Sequence, residues 1–144
     1  MLKCDVEKPD LHDTAGKPER ITMTFEKAET KDIRMLTDLR IAYLQEDLGT
    51  VTDTDLESIK TSLPPYYEKH LNKDLTVYIA RDGDDIASCA FLLIVEKPAS
   101  PSFITGKTGT VLNVYTKPEY RHRGYAKKLM TMMLEDAGTL DVSA

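Results

Sequence analysis

Apolar residues recur along this chain at two spacings, one typical of strands and the other of helices. Ile21, Met23 and Phe25 alternate with polar residues, so they share one face of a strand that is predicted over residues 21–28. Between positions 125 and 137 the apolar residues instead lie three or four apart, which predicts an amphipathic helix. The predicted stripe of that helix contains Ala126, Leu129, Met130, Met133, Leu134 and Ala137.

A first helix is predicted directly after the opening strand. Thr30 is expected to cap its N-terminus. Gly49 is expected to end it, as Gly138 is expected to end the last helix. The residues that recur at helical spacing in the first helix are Ile33, Leu36, Arg40, Tyr43 and Leu44.

A second helix is predicted to begin with a capping box made by Thr54 and Glu57. Pro64 and Pro65 are expected to break or restart it, because proline lacks the N–H group that a helix interior uses. The apolar stripe before the prolines consists of Leu56, Ile59 and Leu63. The residues that indicate a further turn or two are Tyr66, Tyr67, His70 and Leu71.

Three strands are predicted in the middle of the chain. Residues 75–80 form the first, and the turn at residues 82–85 joins it to the second as a hairpin. The second strand spans residues 86–95, and its later half is nearly all apolar. That run favours a central position with both faces of the strand covered. Residues 97–107 are predicted as a loop and residues 108–116 as the third strand.

These elements predict an α/β (α+β) fold with a mixed, mainly antiparallel sheet flanked by helices. Residues 1–20 are polar and lack periodicity, so we expect a flexible tail before a domain at 21–144. Residues 140–142 could begin a further strand. Met23 opens a segment that resembles a natural protein start. The first 22 residues are therefore either an extension or ordinary sequence in which Met23 is simply a strand residue.

Composition is that of an ordinary soluble globular domain, with 41% apolar and 30% charged residues among 144. The net charge of −5 argues against non-specific nucleic-acid binding, which needs a basic excess. Cys4 and Cys89 have the spacing of neither a zinc site nor a redox motif. Free thiols are therefore favoured over a disulfide. We find no membrane span and no apolar signal region, so a cytoplasmic protein without a metal is expected.

Positive charge is concentrated between positions 117 and 128. One carboxylate, Glu119, lies there among five cations, which gives a local net charge of +4. The cations are Lys117, Arg121, Arg123, Lys127 and Lys128. A positive patch on an acidic chain suggests an anionic ligand. On charge alone, an ordinary solvated helix start is the favoured interpretation.

The same segment leads from a strand through a short loop into a helix N-terminus. Such a terminus has free backbone N–H groups and the positive end of the helix dipole, which together bind phosphate. Gly124 has no side chain and Ala126 has a small one, so an anion can approach the backbone at both positions. The pattern is consistent with a phosphate-binding turn.

The turn resembles the signature of the GNAT acetyltransferases. Arg121-x-x-Gly124-x-Ala126 is similar to the family motif Arg/Gln-x-x-Gly-x-Gly/Ala. The preceding Val114-Tyr115-Thr116-x-Pro118 resembles the strand and loop that introduce the motif. The coarse order of elements also matches, so the resemblance covers about residues 21–144.

The resemblance implies acetyl-CoA, or a related acyl-CoA, as co-substrate. The backbone of residues 114–116 would bind the pantetheine arm as an added strand does, and the amides of residues 121–126 would hold the pyrophosphate. It also implies a bulge in the strand at 108–116 that opens the cofactor cleft. The expected cofactor-binding residues are Val114, Tyr115, Thr116, Arg121, His122, Arg123, Gly124, Tyr125 and Ala126.

Family chemistry implies direct attack of a primary amine, from a small molecule or peptide, on the thioester. A backbone N–H of Val114 or Tyr115 would stabilise the oxyanion. The catalytic base stays unknown, because Asn113 stands near the position where some relatives carry a glutamate. The remaining candidates are more consistent with surface or core residues: Glu26, Glu46, Asp47, Tyr43, His70, His122 and Cys89.

The pattern departs from the family at its C-terminal end. A GNAT domain normally adds a full strand, a helix and two final strands, and the later helix often carries a tyrosine that protonates the leaving thiolate. The resemblance therefore implies an incomplete domain lacking the last helix and strands. An unpaired sheet edge would favour association, so we expect a homodimer. Two alternatives remain open: a weak or inactive acyl-CoA-binding module, and an interaction domain whose basic loop is surface.

Overall fold

The computed structural model describes residues 23–139. Two short 3₁₀ helices, Thr30–Asp32 and Pro118–Tyr120, join the longer elements. The predicted tail, Ile21, Cys4 and the strand start at 140–142 lie outside the described residues. The longer elements are β1 (Met23–Lys27), α1 (Ile33–Leu48), α2 (Asp53–His70), β2 (Leu75–Asp82), β3 (Asp85–Glu96), β4 (Lys107–Thr116) and α3 (Tyr125–Thr139).

The four strands form one antiparallel sheet in the order β1-β2-β3-β4. Gly83, with φ of 61°, lies at the tip of the β2–β3 hairpin, in a left-handed conformation that glycine adopts without strain. Every residue from 86 to 92 is buried. The predicted hairpin and the central position of β3 are therefore confirmed, as is the predicted order of strands and helices.

The sheet has a hydrophobic core on each face. On one face, Leu36 and Tyr67 from helices α1 and α2 pack against β2, β3 and β4. On the other face, Leu129 and Met133 of α3 pack against Tyr78 and neighbouring sheet residues. The two layers follow from the period of two along the strands, which directs alternate side chains to opposite faces.

Several local predictions are wrong at helix ends. Thr30 caps no helix, because it is the first residue of the 3₁₀ helix Thr30–Asp32. That helix is capped by Glu29, whose N–H donates to Asp32 Oδ2 at 2.9 Å. Helix α2 is capped by Thr52, whose hydroxyl accepts from the N–H of Asp55 at 3.1 Å. Thr54 instead lies within the first turn of α2.

Helix α2 also continues through Pro64 and Pro65, which were expected to break or restart it. The two carbonyls that lose their N–H donors belong to Lys60 and Thr61, and both residues are exposed. Water can therefore hydrate those carbonyls, which lowers the cost of the prolines in the helix interior.

Helix α3 differs from prediction at two positions near its end. It continues through Gly138 to Thr139 instead of ending at the glycine. Leu134 was assigned to the buried stripe but is 63% exposed, because the sheet covers the neighbouring face that contains Leu129 and Met133. Gly49 does end α1 as predicted, and its N–H donates to the carbonyl of Gln45 at 3.1 Å.

Strand β4 contains a bulge at Leu112. Asn113 pairs with Phe91 and Val111 pairs with Leu92, so Leu112 has no partner on β3. A bulge of this kind bends its strand and increases the local twist. The bulge that the resemblance implied is therefore present, and it lies two residues before the Val114–Thr116 segment.

Candidate functional site

The turn that follows β4 is fixed to the β2–β3 hairpin. The N–H of Lys117 donates to the carbonyl of Ala87 at 3.0 Å, and the Lys117 ammonium pairs with Asp85. The Tyr120 hydroxyl donates to Asp82 Oδ2 at 2.8 Å. That hydrogen bond, together with burial, raises the pKa of Tyr120 well above its usual value. Asp82 and Asp85 of the hairpin thus hold the turn in place. This role was not predicted from the sequence.

The backbone of this turn presents a run of free donors. Within the described residues, the N–H groups of positions 122 to 126 donate to no backbone or side-chain acceptor. His122 and Gly124 have positive φ angles of 67° and 80°. Successive N–H groups in a turn with such alternating conformations form an anion-binding nest, and the dipole of α3 adds positive potential at the same place. The turn therefore has the chemistry of a phosphate cradle.

A cleft of about 530 Å³ opens between this turn, β4 and helix α1. Six of the nine predicted cofactor-binding residues line it, and the other three continue the turn into α3. The lining residues are Tyr43, Glu46, Asp47, Val114, Tyr115, Thr116, Arg121, His122 and Ala126. A larger depression of about 730 Å³ lies along the outer face of α2 and is lined by that helix alone. It contains none of the residues of β4 or of the turn.

Arg121 is held in the cleft by three contacts. Its Nε donates to the carbonyl of Thr116 at 2.8 Å, and its Nη2 lies 2.9 Å from Glu46 Oε1. The guanidinium also covers the ring of Tyr115 at 5.5 Å. The hydrogen bond to Arg121 holds the pKa of Glu46 below its usual value. Arg121 therefore braces the turn against α1 while keeping its charge inside the cleft.

The other cations of the basic segment have different surroundings. The Lys117 ammonium is held by Asp85, and Lys128 lies over the Phe25 ring at 4.6 Å. Arg123 is exposed, and its one hydrogen bond within residues 23–139 is a long one of 3.4 Å to the carbonyl of Glu119. The charge of the segment is thus partly neutralised, Lys117 by Asp85 and Arg121 by Glu46, and the free backbone N–H groups remain its main feature for binding an anion.

The candidate acids and bases divide into two groups. Glu46, Asp47 and Tyr43 line the cleft. Glu26 does not, because it pairs with Arg81 at 2.8 Å on the sheet edge formed by β1. His70 lies elsewhere, 2.8 Å from Asp74.

Two candidates are poorly suited to catalysis in this environment, Cys89 as a nucleophile and Glu46 as a base. Burial raises the pKa of the Cys89 thiol to about 12, so it stays protonated and unreactive at neutral pH. The Glu46 carboxylate is already held by Arg121, which makes it a weak base. Catalytic residues therefore remain unassigned, as they were from the sequence.

Arg40 has a contact at the site that was not predicted from the sequence. This residue of α1 occupies a position in the predicted apolar stripe, and its Nη1 donates to Asn113 Oδ1 at 2.8 Å. Asn113 is 3% exposed and follows the bulge residue directly. The sequence did contain a signal for this contact, because Arg40 is a charged residue at a core-facing position. Such residues are rarely buried without a partner.

No helix among the described residues is both long enough and apolar enough to cross a bilayer. A comparison with curated proteins finds no match.

Solved structures of acetyltransferases share this fold. A predicted acetyltransferase from Clostridium acetobutylicum, solved with acetyl-CoA, is 28% identical with a TM-score of 0.73, over 83% of this chain and 76% of that one. A GCN5-related N-acetyltransferase from Ralstonia eutropha is 20% identical with a TM-score of 0.66, over 84% and 79%. An aminoglycoside acetyltransferase from an uncultured soil metagenomic sample, solved with sisomicin, is 14% identical with a TM-score of 0.60, over 86% and 75%.

The family model for GNAT acetyltransferases matches residues 35–144, which is more than half of the chain and includes β4, the turn and α3. The mixed α/β architecture agrees with that match. This chain belongs to the acetyltransferase (GNAT) family.

Proposed function

We propose that this chain transfers an acetyl group from acetyl-CoA to a primary amine of a small molecule or peptide. The observation that carries the proposal is the row of unbonded N–H groups from His122 to Ala126 at the mouth of the cleft. A diphosphate needs several converging donors and positive potential, and this turn offers both. The relative from Clostridium acetobutylicum was solved with acetyl-CoA, which supports the same co-substrate here.

The pantetheine arm would extend from the turn back along β4. Phosphates bound at residues 122–126 lie beyond the C-terminal end of β4, so the arm would pass Thr116, Tyr115 and Val114. Its thioester would then lie near Asn113 and the bulge at Leu112. An extended arm can add to an open strand edge through backbone hydrogen bonds.

One backbone N–H of β4 would stabilise the negative charge that develops on the thioester oxygen. N–H groups of successive strand residues point to opposite sides. Of Val114 and Tyr115, therefore, only one can face the bound arm while the other faces β3. The amine nitrogen attacks the carbonyl carbon, the C–S bond breaks, and the thiolate leaves as the ammonium proton passes to solvent. We assign no side chain as base.

Binding of acetyl-CoA to Gly124→Val tests the cradle by calorimetry. A β-branched residue at φ of 80° is strained and forces the turn to another conformation. We expect at least about tenfold weaker binding, or about 1.4 kcal/mol. Gly138→Val is the control, because Gly138 is exposed, has open space around it and lies at the other end of α3. Equal affinity of Gly124→Val and wild type would contradict the proposal.

Release of free thiol in the presence of an amine panel then tests turnover. Thiol release that depends on both acetyl-CoA and an amine supports an acetyltransferase. Tight binding of acetyl-CoA without thiol release would instead indicate the acyl-CoA-binding module.

The expected homodimer also stays a proposal. Within residues 23–139, β4 is the last strand of the sheet, and Val111 and Leu112 on it are 44% and 38% exposed. Light scattering across a hundredfold range of concentration tests the association, and a constant monomer mass would rule it out.

A further inference from the structure

Arg40 lies beside the part of β4 where the proposed function puts the thioester. Its Nη1 donates to Asn113 Oδ1 at 2.8 Å, and its guanidinium lies 5.6 Å from the centre of the Tyr43 ring. Tyr43 lines the cleft, and Asn113 adjoins both Val114 and the bulge residue. Arg40 therefore contacts Tyr43 of the cleft lining and the neighbour of Val114, although it is not itself one of the lining residues.

The charge of Arg40 has no counter-ion among the described residues. Arg81 is paired with Glu26 and Asp32 at 2.8 and 2.9 Å, and Arg121 is paired with Glu46 at 2.9 Å. Arg40 is also only partly exposed, but its one hydrogen-bond acceptor is the neutral amide of Asn113. A guanidinium has five N–H donors, and a partly desolvated charge is costly without an opposite charge. The other four donors of Arg40 make no hydrogen bond within the described residues.

The groups around Arg40 contain a second polar atom without a partner. Tyr67 is 0% exposed, and its hydroxyl makes no hydrogen bond within the described residues. Burial raises the pKa of Tyr67, and the charge of Arg40 acts in the opposite direction, as it does on Tyr66. Tyr67 belongs to the buried cluster against which Tyr43 and Tyr66 pack, and Arg40 lies over the ring of Tyr43. Asp74 is the one carboxylate within residues 23–139 that shifts the pKa of Tyr66. No carboxylate among the described residues shifts the pKa of Tyr67.

We propose that Arg40 binds a carboxylate of the acyl acceptor, so that the substrate class is an amine that also carries a carboxylate, such as an amino acid or a peptide. The planar fork of a guanidinium matches the two oxygens of a carboxylate. Binding of the carboxylate at Arg40 holds the amine of the same molecule close to the bulge of β4. Asn113 orients the guanidinium and leaves its charge uncompensated until the acceptor binds.

This inference rests on the proposed acetyl transfer, and its first test compares matched acceptors. Thiol release is measured with the common amino acids that have a primary α-amine and with their α-carboxamides, which lack the charge of the α-carboxylate. Rates are corrected for the fraction of unprotonated amine. We expect kcat/KM to favour at least one carboxylate over its carboxamide by about 30-fold or more. Equal values for every pair would overturn the inference and leave acetyl transfer intact.

Substitution of Arg40 then tests whether that preference comes from this residue. Arg40→Gln keeps a hydrogen-bond donor for Asn113 but removes the charge, so the carboxylate preference should fall to about that of the carboxamide. The affinity for acetyl-CoA should not change. Arg34→Gln is the control, because Arg34 lies on the same helix and is exposed, and it should keep the wild-type preference.

A second substitution supplies the missing counter-ion from within the protein. Asn113→Asp would put a carboxylate where Asn113 accepts from Arg40, which reproduces the pairing of Arg81. The internal carboxylate then competes with the acceptor, so the carboxylate preference falls. A purely structural role of the Arg40–Asn113 bond would not change this ratio.

Binding of reaction products tests the same site without turnover. N-acetylglycine, N-acetylalanine and N-acetylglutamate are titrated into the protein with CoA, and the side-chain NMR signal of Arg40 is followed. We expect it to shift with at least one of the three and not with the corresponding amides. Absence of a shift overturns the carboxylate site, whereas absence of acetyl-CoA binding overturns the proposed function itself.

Discussion

Arg121 and Glu46 form an ion pair across the cleft, with Nη2 and Oε1 2.9 Å apart. The pair joins the turn after β4 to helix α1, and its two residues are 75 positions apart in sequence. Both side chains are partly exposed, so the pair adds little to stability. Its consequence is electrostatic, because it places a negative charge beside the donors that are proposed to hold a diphosphate.

Replacing Glu46 with glutamine should strengthen acetyl-CoA binding. Removal of the carboxylate leaves Arg121 bound to the carbonyl of Thr116 and frees its charge for the phosphates. We expect about two- to fivefold tighter binding at low salt and a smaller effect at high salt, where screening is stronger. Calorimetry at two salt concentrations measures both.

Asp38→Asn is the control for this change, since Asp38 lies on the same helix, is exposed and carries the same charge. It should leave the affinity almost unchanged. Weaker binding by Glu46→Gln would mean that Glu46 mainly positions Arg121 for the ligand.

Tyr78→Phe should destabilise the fold. Tyr78 is 1% exposed, and its hydroxyl donates to Asp136 Oδ2 at 2.7 Å. Loss of a hydrogen bond to a charged acceptor should cost about 2 kcal/mol of unfolding free energy, as measured by urea denaturation at pH 7. A double-mutant cycle tests whether this loss comes from the bond to Asp136. In an Asp136→Asn background, Tyr78→Phe should cost much less unfolding free energy, whereas additive costs of the two substitutions would contradict a direct bond.

The same bond gives a pH dependence. Hydrogen bonds to Tyr78 and Lys27 lower the pKa of Asp136 in the folded protein. Its contribution to stability is therefore present above the unfolded value of about 3.9 and is lost as the pH falls through the folded value. Between about pH 4 and pH 2, Tyr78→Phe should lose less stability than the wild type does. Parallel curves over that range would contradict the assignment.

Tyr67→Phe should have the opposite effect on stability. Tyr67 is as buried as Tyr78, but its hydroxyl has no partner within the described residues. An unpaired buried hydroxyl costs roughly 1 to 3 kcal/mol, so its removal should raise the unfolding free energy by about 1 kcal/mol. Urea denaturation of the two phenylalanine variants side by side measures the difference. Equal destabilisation of both would show that the Tyr67 hydroxyl is hydrogen-bonded in solution.

The periodic parts of this fold were predictable from sequence. Strand β3 is buried on both faces and therefore has a continuous apolar run. Helix α3 is buried on one face and therefore has apolar residues three or four apart. Both patterns are visible in the local sequence. Helix ends were less predictable, because several polar residues compete for each cap. Thr52 and Thr54 are equally suitable caps by residue type, and only the path of the chain decides for Thr52. Likewise, solvent beside Lys60 and Thr61, rather than the local sequence, permits Pro64 and Pro65 in α2.

The candidate site was predictable where it is contiguous. Val114 to Ala126 is one stretch of chain, so its strand, turn and helix could be located together. Glu46 and Arg40 come from a helix far away in sequence, and nothing local indicates that they face β4. The anchoring of Tyr120 by Asp82 is likewise a long-range contact between a hairpin and a turn.

Cys89 should be inert in the native protein. The thiol is 0% exposed, burial raises its pKa to about 12, and its contact with Asn113 is a weak one at 3.9 Å. In a Cys4→Ser background, Cys89 is the one remaining thiol, so a thiol reagent at pH 8 should label it only as fast as the protein unfolds. Cys89→Ala should keep kcat for acetyl transfer and cost about 1 kcal/mol of stability through the lost volume. A loss of kcat at unchanged acetyl-CoA affinity would instead indicate a covalent acyl-cysteine route. Direct attack by the amine, which needs no protein nucleophile, would then be wrong.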